Sequence, residues 1–145
     1  MPISTDLESV AAELLTSIGL LRRRLRQEAT AGELTMPEAS ALARLDRGGP
    51  ATSAALARLE QISPQSMGAT LSALEARGLI ERAADPEDGR RVILSLTAAG
   101  QTARRHRRDA LVRQLAVALE GEFGADELGQ LLSAAPLIER LAQRI

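Results

Sequence analysis

The 145-residue sequence has no cysteine, lysine, tryptophan or tyrosine, and Phe123 is its only aromatic side chain apart from the imidazole of His106. Without cysteine there can be no disulfides, thiolate metal sites or thiol-based redox sensing. His106 is the single histidine and cannot build a zinc site by itself. The N-terminus lacks a basic segment followed by an apolar core, and no apolar run approaches membrane-spanning length, so a soluble cytoplasmic protein with no membrane partner is expected. Catalytic constellations are missing as well. Gly48-Gly49 lacks the lysine of a phosphate loop, the acids are scattered over helix surfaces, and no nucleophile is paired with a base. The sequence therefore reads as non-enzymatic, with no cofactor and no metal.

What is present is charge of a particular kind in a particular place. Basic residues number 18 against 19 acids, and every one is arginine, whose planar fork suits phosphates and guanine edges. Between Arg77 and Arg113 arginines outnumber acids, whereas from Glu120 onward the acids prevail. A compositional bias accounts for arginine replacing lysine; it does not account for the clustering.

Residues 6–29 place Leu7, Ala11, Leu14, Ile18, Leu21 and Leu25 at heptad-like spacing, which predicts a long amphipathic helix ending near Gly32. Val10, Leu15 and Leu20 widen the apolar set beyond one seam. Arg22, Arg23, Arg24 and Arg26 form a solvated face. Thr35-Met36-Pro37-Glu38 is a capping box opening a short helix to about Arg47, broken by Gly48-Gly49-Pro50. Thr52 or Ser53 caps the next helix, and Ser63-Pro64 opens a third, with serine as N-cap and proline where its missing amide hydrogen costs nothing. In that third helix Met67, Leu71 and Leu74 point inward, leaving Gln65, Ser66, Ala69, Thr70 and Ala73 as a small, polar outer face. Such a face can approach a groove floor closely: Gln65 can pair with an adenine edge, and Ser66 or Thr70 can meet base or phosphate.

After Gly78 two short strands follow, Leu79 to Ala83 and Arg91 to Leu96, the second with Val92, Leu94 and Leu96 in period two. Asp85-Pro86 starts the turn between them and Gly89 relaxes its tip, so Arg90 and Arg91 lie at or beside the apex, where a guanidinium can enter a minor groove. Asp88 is expected to pair with a nearby guanidinium and orient it. Thr97 caps a long helix carrying Arg104-Arg105-His106-Arg107-Arg108, whose first half is read as solvated or facing DNA. A last helical region runs from Asp126, kinked or split by Pro136.

The ordered set Leu34-Thr35, Leu56-Ala57 with Ile62-Ser63, Leu74-Glu75-Ala76-Arg77-Gly78-Leu79-Ile80, and Asp88-x-Arg90 before Leu96-Thr97-Ala98-Ala99-Gly100 resembles the MarR family of winged helix-turn-helix regulators. The resemblance covers nearly the whole chain. It implies a mainly α (α+β) fold in which residues 33–100 form the winged DNA-binding lobe and residues 1–32 and 101–145 a helical dimerisation region. It implies a homodimer on double-stranded DNA, with Ser63, Gln65, Ser66 and Thr70 as recognition-helix contacts and Arg90, supported by Asp88 and flanked by Arg91, as the wing contact. Two-fold symmetry then predicts a palindromic operator with half-sites roughly 10 bp apart. Most members are repressors, and many release DNA when a small aromatic or phenolic anion binds between dimer helices and winged lobe. One departure from the family pattern is Ala69, where many relatives carry arginine; direct readout is thinner for it, and DNA shape gains weight. A winged helix serving as an architectural or protein-interaction module is the alternative.

Overall fold

The computed structural model describes residues 6–26 and 33–145. Its elements are α1 (Leu7–Arg26), α2 (Met36–Gly48), α3 (Ser53–Glu60), α4 (Pro64–Ala76), β1 (Ile80–Ala84), β2 (Val92–Leu96), α5 (Ala98–Glu122) and α6 (Ala125–Ala142). The chain forms two compact units, one up to Arg107 and one from Arg108 to Ile145, with α5 contributing to both. Where α1 was expected to end, near Gly32, lies outside the described residues.

Local chemistry explains most of the boundaries. The capping box of α2 forms as read: Thr35 Oγ1 accepts from the Glu38 amide, and Glu38 Oε1 accepts from the Thr35 amide. Gly49, at φ 76°, ends α2 in a conformation that favours glycine. Thr52 caps α3 and Ser63 caps α4. The hydrophobic core of the first unit comprises Leu34, Ala41, Leu42, Leu45, Leu56, Ala57, Met67, Leu71, Leu74, Leu79, Ile80 and Leu94, all buried. α2, α3 and α4 supply most of it, and the first residue of β1 and the middle of β2 close it.

β1 and β2 pair antiparallel, with Ile80 opposite Leu96 and Ala84 opposite Val92. A backbone bridge adds Ala51 to the free side of β2, its amide donating to Leu94 O at 3.1 Å and its carbonyl accepting from Leu94 N at 2.8 Å. β1 runs one residue later than expected. The period-two reading holds for Leu94, which is 1% exposed, but fails at Val92, 48% exposed, because the far end of the hairpin extends past the core.

The first turns of α5 meet the expectation of a solvated face in part: Arg105, His106 and Arg108 are exposed, while the other side is packed. Gly100 is buried so tightly that an added Cβ would collide with Leu79 O and Leu96 Cδ1. Ala103 packs on the core, Arg104 ion-pairs with Asp46, and Arg107 Nη2 donates to Met36 Sδ at 2.9 Å. Arginine stems can cover apolar surface while their heads find partners, so a basic run need not be a solvated one. Pro136 lies inside α6 without splitting it.

Candidate nucleic-acid interface

The helix-turn-helix is assembled from α3, a tight turn and α4. Thr52 Oγ1 accepts from Ala55 N at 3.1 Å and starts α3. Gln61 ends it in the left-handed region (φ 54°, ψ 42°), and the Ile62 amide reaches back to Ala57 O at 3.1 Å, satisfying a carbonyl the helix would otherwise leave open. Ser63 Oγ then accepts from the Ser66 amide at 3.0 Å and donates to Ser66 Oγ at 2.9 Å. Both hydroxyls remain exposed, though capping holds the first in place.

α4 presents the two faces its sequence predicts. Met67, Leu71 and Leu74 are buried, while Gln65, Ser66, Ala69 and Ala73 are exposed and Thr70 is half-buried. Its C-terminal end is tied down: Arg77 pairs with the buried Glu38 at 3.4 Å, Gly78 turns the chain at φ 71°, and Arg82 of β1 pairs with Glu75. Thr97 fastens the same end to α5, its hydroxyl donating to Gly78 O at 2.7 Å and accepting from Gly100 N at 3.0 Å. The N-terminal end of α4 is positioned from behind. Glu60, the last residue of α3, accepts from Arg44 Nε and Ser40 Oγ of α2, both at 2.7 Å. Partial burial acts to raise the Glu60 carboxyl, but those two hydrogen bonds and the charges of Arg44 and Arg47 outweigh it and hold its pKa below the ordinary 4.5.

At the wing tip the loop is closed by Asp85 N to Arg91 O at 2.9 Å, and Asp85 Oδ1 accepts from the Glu87 amide. Asp88 does not meet a guanidinium as expected. Its Oδ1 accepts from the Arg90 backbone amide at 3.1 Å and its carbonyl from Arg91 N at 3.0 Å. A short acid bonds its own backbone two residues on more readily than it reaches a mobile guanidinium, so Asp88 shapes the turn. Nor does Gly89 use a left-handed φ. Arg90 and Arg91 are exposed and make no side-chain hydrogen bond or ion pair among the described residues, whereas Arg44, Arg77, Arg82 and Arg104 are all paired with acids. The wing tip thus presents two unpaired guanidinium groups beside Asp85, Glu87 and Asp88.

Ser63, Gln65, Ser66 and Thr70 thus lie on the first two turns of α4, and Asp88, Arg90 and Arg91 at the tip of the hairpin. The reading of the sequence missed Glu75, Arg82, Glu60 and Gln61; the left-handed turn at Gln61 had no glycine to announce it. A cavity of about 240 Å³ is lined by Glu33, Leu34, Arg77, Ala103, His106 and Arg107. Among the described residues no group of three His, Asp or Glu side chains is placed to hold a metal, and no helix is long and apolar enough to cross a membrane.

A capped helix-turn-helix followed by a two-stranded wing with exposed arginines at its tip defines a winged helix-turn-helix DNA-binding protein. The MarR family model matches residues 34–92. The HTH-type transcriptional regulator MT0903.1 of Mycobacterium tuberculosis is 32% identical over 133 residues, covering 89% of this chain and 90% of that protein. The HTH-type transcriptional repressor Rv2887 of the same species is 38% identical over 80 residues, 55% of this chain and 57% of that protein. A solved protein from Pseudomonas aeruginosa PA01, described as a transcriptional regulator, superposes with a TM-score of 0.79 at 31% identity over 97% of this chain and 99% of that one. The chain belongs to the MarR family and is a transcriptional regulator with a DNA-binding helix-turn-helix.

Proposed function

We propose that the chain is a homodimeric repressor that binds a palindromic operator, with residues 33–100 reading DNA and residues 1–32 and 101–145 forming the dimer. In this reading the outer face of α4 enters the major groove, where Gln65, Ser66 and Thr70 meet base edges or phosphate and Ser63 presents the start of the helix. Arg90 enters the flanking minor groove with Arg91 beside it, and Asp88 fixes the turn that aims them. The observation that carries the reading is one of placement: two exposed arginines, without an ion pair among the described residues, stand at the wing tip of a lobe whose α4 turns a small, polar face outward. Dimerisation is supported by apolar residues left in solvent on both terminal segments, among them Leu7 and Leu15 of α1 and Leu131 and Leu132 of α6. Release by a small anion is supported by family membership and by the cavity whose lining includes Arg77, His106 and Arg107 beside Glu33, Leu34 and Ala103.

Selection of bound duplexes from a random-sequence pool tests this function. Enrichment of an inverted repeat with half-site centres about 10 bp apart is the expected result, with Gln65→Ala relaxing the preference at one position in each half-site. A protein that binds the pool without enrichment is an architectural one, and a protein that retains no duplex at moderate salt is an interaction module.

A further inference from the structure

The wing is a two-stranded hairpin, a structure only marginally stable by itself, and it must still present its tip at a fixed angle to α4. Both of its strands are tied to the lobe, and at the same rung. Arg82 of β1 is the register partner of Leu94 of β2. On the outer side of Leu94, Ala51 makes both bridge hydrogen bonds. From Arg82, the guanidinium Nε donates to Glu75 Oε2 on the last turn of α4. One line across the sheet therefore runs Glu75, Arg82, Leu94, Ala51, from the reading helix through the wing to the loop that precedes α3, and Leu94, at its centre, is buried in the core.

We propose that this rung is a brace that sets the angle between recognition helix and wing, and that Glu75 and Arg82 are positioning residues for minor-groove reading by Arg90. The proposal rests on the wing contact proposed above. Its logic is leverage, not stability. The pair is half exposed on both sides, 45% and 40%, and exposed pairs contribute little to folding. Yet three residues of β ladder separate the rung from the Asp85–Arg91 pair that closes the tip loop, roughly 10 Å at 3.3 Å per residue. A tilt of about 15° at the base then moves the tip loop by roughly 3 Å, the length of a hydrogen bond. At its base the wing is held against such a tilt by this contact and the Ala51 bridge together with the buried Ile80 and Leu94, the bond from Thr97 N to Leu79 O and the turn that joins β1 to α4.

The absence of cysteine makes the test direct. Ser72→Cys on α4 and Gly89→Cys at the tip are spin-labelled in the full chain, diluted with unlabelled protein, and the intra-chain distance distribution is read by pulsed electron resonance without DNA. A narrow distribution that widens with Arg82→Ala, at a nearly unchanged melting temperature, and narrows again when Glu75→Arg and Arg82→Glu are combined is the expected result. In parallel, affinity is measured on the duplex selected by the native protein. Arg90→Ala should cost roughly tenfold in the native background and less than about twofold once Arg82→Ala is present, a coupling that a merely structural residue would not show. An unchanged width overturns the brace whatever DNA binding does. Widening with fully additive losses overturns the positioning role. If Arg90→Ala loses nothing in the native background, the wing contact itself fails, and the positioning role with it; the brace is still judged by the widths.

Discussion

The winged unit and the segment from Arg108 to Ile145 solve the problem of burial in opposite ways. The first holds every buried hydrophobic side chain among the described residues, from Leu34 to Leu94, and ties its elements together with ion pairs such as Arg44 with Glu60 and Arg104 with Asp46. The second has no buried residue at all, although Leu128, Leu131, Leu132, Leu137, Ile138 and Leu141 recur along α6. α1 resembles the second more than the first, with Leu7 and Leu15 about four-fifths exposed. A set of apolar side chains with this density and no core of its own is what half of an interface looks like when the other half is elsewhere. The difference teaches where stability comes from: the winged lobe has a core of its own, and in the proposed dimer the terminal helices would obtain their burial from a second copy.

The largest effect should come from attacking the half-finished side. Leu14→Asp in α1 would place an unpaired charge in the proposed dimer interface, worth about 3–5 kcal/mol against association, and sedimentation should report a monomer whose lobe is still folded. An intact dimer would detach α1 from the interface and narrow the comparison to α5 and α6. Next in size is a change that reverses the comparison by breaking the lobe. Gly100→Ala puts a methyl group against a backbone carbonyl, which cannot yield as a flexible side chain would, so about 1–3 kcal/mol of stability should be lost. A thermal melt that does not move would mean that α5 is seated loosely on the lobe.

Smaller still is the effect of Glu60→Gln, about 1 kcal/mol at neutral pH. Because the folded-state pKa of Glu60 is depressed, its contribution is fully present above the unfolded value near 4.5 and is lost as pH falls through the lower folded value. The gap in stability between native and Glu60→Gln proteins should therefore be widest at neutral pH and close on acidification below about pH 4.5. A gap that does not change with pH would show that Ser40, Arg44 and Glu60 do not act through charge.

How much of this could be read from the sequence follows from range. Thr35, Thr52, Ser63 and Thr97 were legible as caps because capping is a rule of three or four residues, and the inner face of α4 was legible because Met67, Leu71 and Leu74 obey the helical period. Glu75 with Arg82 spans a turn, and Asp46 with Arg104 spans most of the lobe; neither spacing belongs to any local rule. Asp88 was misread for the converse reason, since a long-range partner was assumed where the backbone two residues away was nearer. Among the proposed contact residues, position in the fold was foreseeable and aim was not: the chain shows which side chains are small, polar or cationic, while the brace that would point them is tertiary.

The claim on which the account turns is that the lobe reads DNA with both α4 and the wing. Fluorescence anisotropy of the native protein and of Arg90→Ala, titrated at moderate salt onto the selected duplex and onto a shuffled one, tests it most directly. The account predicts selective binding by the native dimer and a loss of about 1–3 kcal/mol in the variant on the selected duplex. Equal affinity of native protein and variant for the selected duplex would contradict it.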